Sequence, residues 1–188
     1  VSPARRKMAK KIIPHPSNIN GRTVKVGIIG LGTVGTGTVE VLLSHQKEIE
    51  RRLGGRLKLK TICSRTIHKR NLSWMGQKVE TTSDWKQVAN DPEIDVIVEL
   101  VAQPRTALSI ARKTLKNGKH LVTANKFLVA EHGVELFRLS QQKDVSLGIE
   151  ACVAGGTPVL HAIREGLAGE EFLAIHGILN GTTNYILT

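Results

Sequence analysis

The chain has 188 residues, 40% hydrophobic and 23% charged, a globular composition with room for one full domain and part of another. No apolar run reaches the length of a membrane span, and no stretch reads as a secretory h-region. The formal charge of +11 is concentrated at the start: residues 1–25 hold seven Lys or Arg and no acid, so the remainder carries +4, which makes no case for nucleic acid.

Residues 1–22 read as a basic, disordered arm. No aromatics interleave with Arg5, Arg6, Lys7, Lys10 and Lys11, so base stacking has no platform. An Arg-rich, acid-free start also fits an organelle transit segment, although this one is poor in Ser and broken by Pro3, Pro14 and Pro16. A third reading starts translation at Met8.

Val24 to Ile29 is a β-branched apolar run, as expected of a strand covered on both faces. A glycine turn follows: Gly30, Leu31, Gly32, Thr33, Val34, Gly35. The first glycine allows the tight exit, the second leaves the backbone open to a pyrophosphate, and the third lets a helix pack against the strand. Apolar residues at Val39, Leu42, Leu43, Ile49 and Leu53 then predict one helix with one buried face. The strand before and helix after turn GxGxxG into a dinucleotide fingerprint, with these six turn residues as cofactor contacts. The alternative is a glycine-rich turn that holds no ligand.

Leu57 to Cys63 alternates Leu57, Leu59, Thr61 and Cys63 against Arg56, Lys58 and Lys60, which predicts a second strand. Its end meets the adenosine ribose in a dinucleotide site, where NAD-selective sites place Asp or Glu. Here Ser64 and Arg65 stand instead, with His68, Lys69 and Arg70 nearby. A guanidinium suits a 2′-phosphate, so Arg65 predicts NADP in preference to NAD. The plainer alternative is a solvated basic loop.

Residues 71–93 read as a connection in which Ser83-Asp84 caps a helix running to Asn90. Ile94 to Leu100 is the next strand, with Glu99 and Val101 to Gln103 at its carboxyl end, on the nicotinamide side. Thr106 to Asn117 is a helix with Ala107, Ile110, Ala111 and Leu115 inward and Gly118 as its stop. His120 to Ala124 is a strand, Glu131 to Gln142 a helix and Val145 to Glu150 a strand. This alternation predicts an α/β fold, a doubly wound Rossmann-type parallel sheet.

Lys126 lies just beyond a strand end, beside the predicted nicotinamide. A cation there can stabilise oxyanion character, or shuttle a proton where burial favours the neutral amine. The alternative is a surface lysine. Cys63 and Cys152 have no zinc-ligand spacing, so both read as space-filling thiols in a reduced, cytoplasmic protein. After Ala154-Gly155-Gly156-Thr157-Pro158 the pattern predicts a helix over Val159 to Leu167 and a strand over Phe172 to Leu179, the start of an incomplete second domain.

Four blocks, GLGTVG at 30–35, HLVTANK at 120–126, EACVAGGTP at 150–158 and GILNGTTNYILT at 177–188, resemble homoserine dehydrogenase in order and spacing. The resemblance covers residues 24–188 and implies NAD(P)-dependent interconversion of L-homoserine and L-aspartate 4-semialdehyde, in threonine, methionine and isoleucine synthesis. It implies a cofactor domain over 23–149, then the truncated start of an α+β catalytic and dimerisation domain over 150–188, with a homodimer for the complete enzyme. It makes Lys126 the lysine of the family's TANK motif, a catalytic and cofactor-side residue. It implies a sodium-like monovalent cation on backbone carbonyls, which here would be those of Glu150, Val153, Gly155 and Thr157. Ala102-Gln103 departs from the Gly-Gly of many members. The family's main acidic residues and principal catalytic lysine lie beyond the NGTTN block, so the alternative is an NADP(H)-binding module without turnover.

Overall fold

The computed structural model describes residues 21–76 and 78–177. Residues 1–20 of the basic arm and the NGTTN block lie outside them. Six parallel strands form one sheet in the order β3-β2-β1-β4-β5-β6. They are β1 Thr23–Ile29, β2 Arg56–Cys63, β3 Glu80–Thr82, β4 Val96–Glu99, β5 His120–Thr123 and β6 Leu147–Gly148. The helices are α1 Thr33–Ser44, α2 Gln46–Leu53, α3 Trp85–Asn90, α4 Pro104–Lys116, α5 Lys126–Gln142 and the short α6 Val159–His161. None is long and apolar enough to cross a membrane.

Each face of the sheet has its own core. Val26, Ile28, Leu59 and Ile62 pack with Val39 of α1 and with Ile67 and Met75 of the β2–β3 connection. Ile29, Cys63, Ile97, Leu121 and Leu147 pack on the other face with α3, α4 and α5. Helices on both faces are what a buried parallel sheet requires, and β1, hydrogen-bonded to β2 and to β4, is its centre.

The predicted single helix after the glycine turn is two helices, broken at His45 (φ −107°). The break lets α2 reach the start of β2, where β3 offers no ladder partner because it pairs only from Thr61 onwards. Gln46 Nε2 donates to Leu57 O (3.0 Å) and Leu57 N–H donates to Glu50 Oε1 (2.8 Å), so side chains satisfy that edge. The strict alternation expected of β2 also fails. The register slips between Val26 and Gly27, where Leu59 and then Thr61 are the partners, leaving Lys60 as the bulge. Ile62 therefore joins Leu59 on the α1 face while Cys63 turns to the other core, because one inserted residue reverses all later side chains. Lys60 Nζ donates to Asp91 (2.5 Å) and Glu93 (2.7 Å), tying the α3–β4 loop to the sheet.

α3 follows its Asp84 cap, which accepts from Lys86 N–H at 2.9 Å. α4 starts at Pro104, two residues before its predicted Thr106, because proline is pre-shaped for the first helical position. Its buried stripe is the predicted one with Thr114 added, and Gly118 ends it at φ +70°. β4 and β6 are shorter than expected. Ile94 is buried without being in the ladder, so its apolarity reports packing rather than strand. After β6, a 3-10 turn covers Glu150–Cys152, and α6 continues as a π turn over Ala162–Gly166. No strand forms over Phe172–Gly177, the described part of the predicted one: no sheet edge pairs with it there and Leu173 is fully exposed. Ile178 and Leu179 lie outside the described residues.

His120, at the start of β5, accepts from Ser146 N–H through Nδ1 (3.0 Å), and burial lowers its pKa from 6.5. A protonated ring cannot accept that bond. The unfolded chain therefore takes up the proton first, and this contribution to stability is present above about pH 6.5 and lost as the pH falls below it. His120→Gln should flatten the stability–pH slope between about pH 7 and 5.5, read from denaturant midpoints. An unchanged slope would remove His120 from the account.

Candidate dinucleotide site

The site begins where β1 ends. Gly30 N–H donates to Cys63 O (2.8 Å) and Leu100 N–H donates to Ile29 O (2.8 Å), so β2 and β4 grip the exit of β1 from both sides. The chain leaves at φ +110°, and a Cβ on Gly30 would sit 2.6 Å from Leu100 O, so only glycine fits. Gly35 presses on the same turn: its Cβ would lie 2.0 Å from Gly30 O. Gly32 differs from both, with nothing within 4 Å of its virtual Cβ. That open side is where a phosphate can approach the backbone.

Gly32 is also the N-cap of α1, and the first helical bond runs from Thr36 N–H to Gly32 O (2.9 Å). The amides of Thr33, Val34 and Gly35 precede that bond and belong to the helix end that favours anions. The first turn carries no acid. Leu31 is buried and anchors the turn, whereas the Thr33 and Val34 side chains are exposed.

A groove of about 620 Å³ runs along this helix start, lined by Gly32, Thr33, Thr36, Gly37, Glu40 and Arg70. Arg65 is exposed, two residues past the end of β2. The connection then folds back because Ile67 is buried in the core, and this brings Arg70 to the groove. The sequence singles out Arg65 and names Arg70 as a neighbour; it is Arg70 that lines the groove, on account of the Ile67 anchor.

The β4 and β5 ends lie on the same carboxyl edge. Ile29, Glu99 and Thr123 are lateral neighbours across three strands, so Lys126 stands roughly two strand spacings, about 10 Å, from the glycine turn. α5 starts at Lys126, five residues before its predicted start at Glu131. The reason is local: Asn125 Oδ1 accepts from Leu128 N–H (3.1 Å), a helix cap hidden inside the TANK block. Lys126 is therefore the first helical residue, exposed, with its ammonium 5.5 Å from the Phe127 ring centroid. That setting suits an electrostatic role better than one that needs burial. Of the departing pair, Gln103 is held to the first turn of α4, its side-chain oxygen accepting from Thr106 Oγ1 (2.7 Å). Sequence reasoning gave Glu99 no role, yet it is fully buried at this edge and accepts from Thr123 Oγ1 (2.7 Å) and Val101 N–H (2.6 Å).

Glu150, Val153, Gly155 and Thr157 share one loop, with Ala154 (φ 55°) and Gly155 (φ 58°) both left-handed. The Glu150 carboxylate accepts from the N–H groups of Leu160 and His161 (both 3.0 Å), so it caps α6. Glu150 O accepts from Val153 N–H (3.1 Å) and Thr157 O from Val159 N–H (2.8 Å), leaving each carbonyl a second lone pair. A hard cation prefers such oxygens, so the donor set fits chemically. Among the described residues no cluster of three His, Cys, Asp or Glu could hold a metal.

A parallel sheet in this order, with a glycine turn at the point where the order reverses, defines a Rossmann-type dinucleotide-binding domain. The family model for the homoserine dehydrogenase NAD-binding domain matches residues 30–150, and the homoserine dehydrogenase model matches 158–188. The chain belongs to the homoserine dehydrogenase family. It is 46% identical over 167 residues to the homoserine dehydrogenase of Pseudomonas aeruginosa, covering 89% of this chain and 38% of that protein. Its identity to the Neisseria gonorrhoeae homoserine dehydrogenase is 40%, with the same coverage. The crystal structure of a homoserine dehydrogenase from Thiobacillus denitrificans superposes with a TM-score of 0.79 at 41% identity, covering 89% of this chain and 39% of that one. A hyperthermophilic archaeal homoserine dehydrogenase in complex with NADPH superposes at 0.62 with 25% identity, covering 79% of this chain and 50% of that one. The chain thus spans about 38% of the length of these curated relatives.

Proposed function

We propose that this chain is the cofactor-binding part of a homoserine dehydrogenase that interconverts L-homoserine and L-aspartate 4-semialdehyde with NADP(H), for threonine, methionine and isoleucine synthesis. The observation that carries the reading is the glycine turn, where Gly30 and Gly35 have no room for a side chain and Gly32 faces open space. The bound cofactor supplies or accepts the hydride. The amides of Thr33, Val34 and Gly35 hold the pyrophosphate, and Lys126 places a positive charge where the substrate carbonyl oxygen gains electron density. The carbonyls of Glu150, Val153, Gly155 and Thr157 would hold a sodium-like cation and steady the loop that follows β6. We divide the chain into a cofactor domain over 23–149 and the beginning of a catalytic and dimerisation domain over 150–188. The complete enzyme is a cytoplasmic homodimer in this reading. The 188 residues span about 38% of the length of the curated relatives and by themselves are expected to bind NADP(H) without turnover.

The NADP preference rests on Arg65 and Arg70, since a 2′-phosphate wants a guanidinium and this segment offers no acid for a 2′-hydroxyl. The NADPH complex of the archaeal relative supports it. Titration with NADPH and NADH should give the tighter constant for NADPH. Arg65→Asp and Arg70→Asp should each cut that preference by about tenfold or more, as loss of a charge-assisted bond of about 1.5–3 kcal/mol requires. A clear NADH preference in the unmodified chain would overturn it. A drop at Arg70 alone would put the phosphate in the groove beside α1.

A further inference from the structure

Glu99 is an acid with no exposed surface, and burial raises its pKa against the opposing pull of its two donors. Both donors are neutral, one in the loop after β4 and the other at the end of β5. Val101 N–H opens the β4–α4 loop, and Thr123 Oγ1 closes β5. Thr123, itself fully buried, passes the constraint on: its Oγ1 accepts from Asn125 N–H (3.0 Å). Asn125 then joins the two loops, donating through Nδ2 to Val101 O (3.1 Å) while its Oδ1 caps α5. Cys152 closes the cluster from the third side, its thiol donating to Thr123 O (3.2 Å).

The direction of each bond matters. A carboxylate accepts from both donors at once, so the Thr123 hydroxyl proton points to Glu99 and its lone pairs are left for Asn125 N–H. A glutamine in the same place presents one donor and one acceptor, and the chain of bonds must reverse somewhere. In a sheet of this order the adenosine half of a dinucleotide lies over β1 to β3 and the nicotinamide half over β4 to β6. Glu99, at the end of β4, thus sits on the nicotinamide side of the point where the strand order reverses.

We propose that Glu99, acting through Thr123, is a positioning residue that clamps the Val101 loop to the Asn125-Lys126 helix start and so shapes the floor under the nicotinamide. This rests on the dinucleotide reading given above. The hydrogen bonds of the clamp run towards β5 and the start of α5 rather than towards β2 and β3, so a ligand without nicotinamide is an internal control for both fold and base reading.

The test is binding of NADPH and of 2′-phospho-ADP-ribose to the 188-residue chain and its variants. Thr123→Val, which keeps shape and removes the hydroxyl, should weaken NADPH by about tenfold or more, because it leaves the buried Glu99 carboxylate one donor short and frees the two loops from each other. The same variant should hold 2′-phospho-ADP-ribose within about twofold, since Thr123 lies on β5, with β4 between it and the strand that enters the glycine turn. Thr123→Ser should restore NADPH, and Glu99→Gln should show the same selective loss as Thr123→Val. Equal weakening of both ligands, loss of both, or no change in either would overturn the assignment. Binding of neither ligand by the unmodified chain would overturn the dinucleotide reading first.

Discussion

Gly35→Ala should cost this domain about 3–4 kcal/mol, a large part of the stability a domain of this size has to lose. The new methyl would meet Gly30 O at 2.0 Å, and that carbonyl cannot move aside. Gly30 is held through its own N–H to Cys63 O, and its φ of +110° leaves few alternatives. Gly32→Ala is the matched contrast. Its φ of −85° is open to any residue and its Cβ direction is empty, so the fold should stay within about 0.5 kcal/mol of the parent. Its methyl would occupy the space left for the pyrophosphate, and NADPH affinity should fall by about tenfold or more, because a phosphate held by backbone amides cannot retreat. Denaturant midpoints and cofactor titration on the two variants separate the roles. Equal destabilisation by both would make the turn a packing feature alone, and full NADPH affinity in Gly32→Ala would move the phosphate elsewhere.

Lys126→Ala, made in a homoserine dehydrogenase that includes this chain, should lower kcat by about 10²–10³-fold, the usual consequence of removing one stabilising charge from a developing oxyanion. Stability should stay within about 0.5 kcal/mol, since the side chain is exposed and the α5 cap is Asn125 rather than Lys126. The KM for cofactor should change little if the ammonium acts on the substrate oxygen, and should rise with an unchanged kcat if it acts on the cofactor alone. Parental kcat in the alanine variant would remove Lys126 from the chemistry. Lys126→Arg tests geometry: a planar fork keeps the charge but not the point contact.

The residues of the site differ in how far they are legible in the sequence. GxGxxG between an apolar run and a helical pattern names its own glycines, because each is required by a local steric fact. In the basic segment after β2 the sequence singles out Arg65, with Arg70 as one of its basic neighbours. That Arg70 lines the groove follows from where Ile67 is buried, which no pattern within 64–70 reveals. The cap of α5 was present in the letters as Asn three residues before Leu128, but the apolar FLVA after Lys126 masked it. The role of Glu99, which the sequence places only at a strand end, was hidden for the opposite reason. A charged residue in an apolar strand has no periodic signature, and its value lies in Thr123 and Val101, which reach it through different strands and loops.

The sequence by itself determined the alternation of strands and helices, the glycine turn and the family, because these depend on local sterics, short-range periodicity and motif spacing. The tertiary structure alone decided the bulge at Lys60 that reverses the end of β2, the break at His45 and the loop geometry around Glu150 to Thr157. It also placed Ile29, Glu99 and Thr123 side by side at one edge. The physical reason is common to all of them. A ladder partner, a capping acceptor or a buried hydroxyl is supplied by residues far away in sequence, and only the packed sheet brings donor and acceptor within reach.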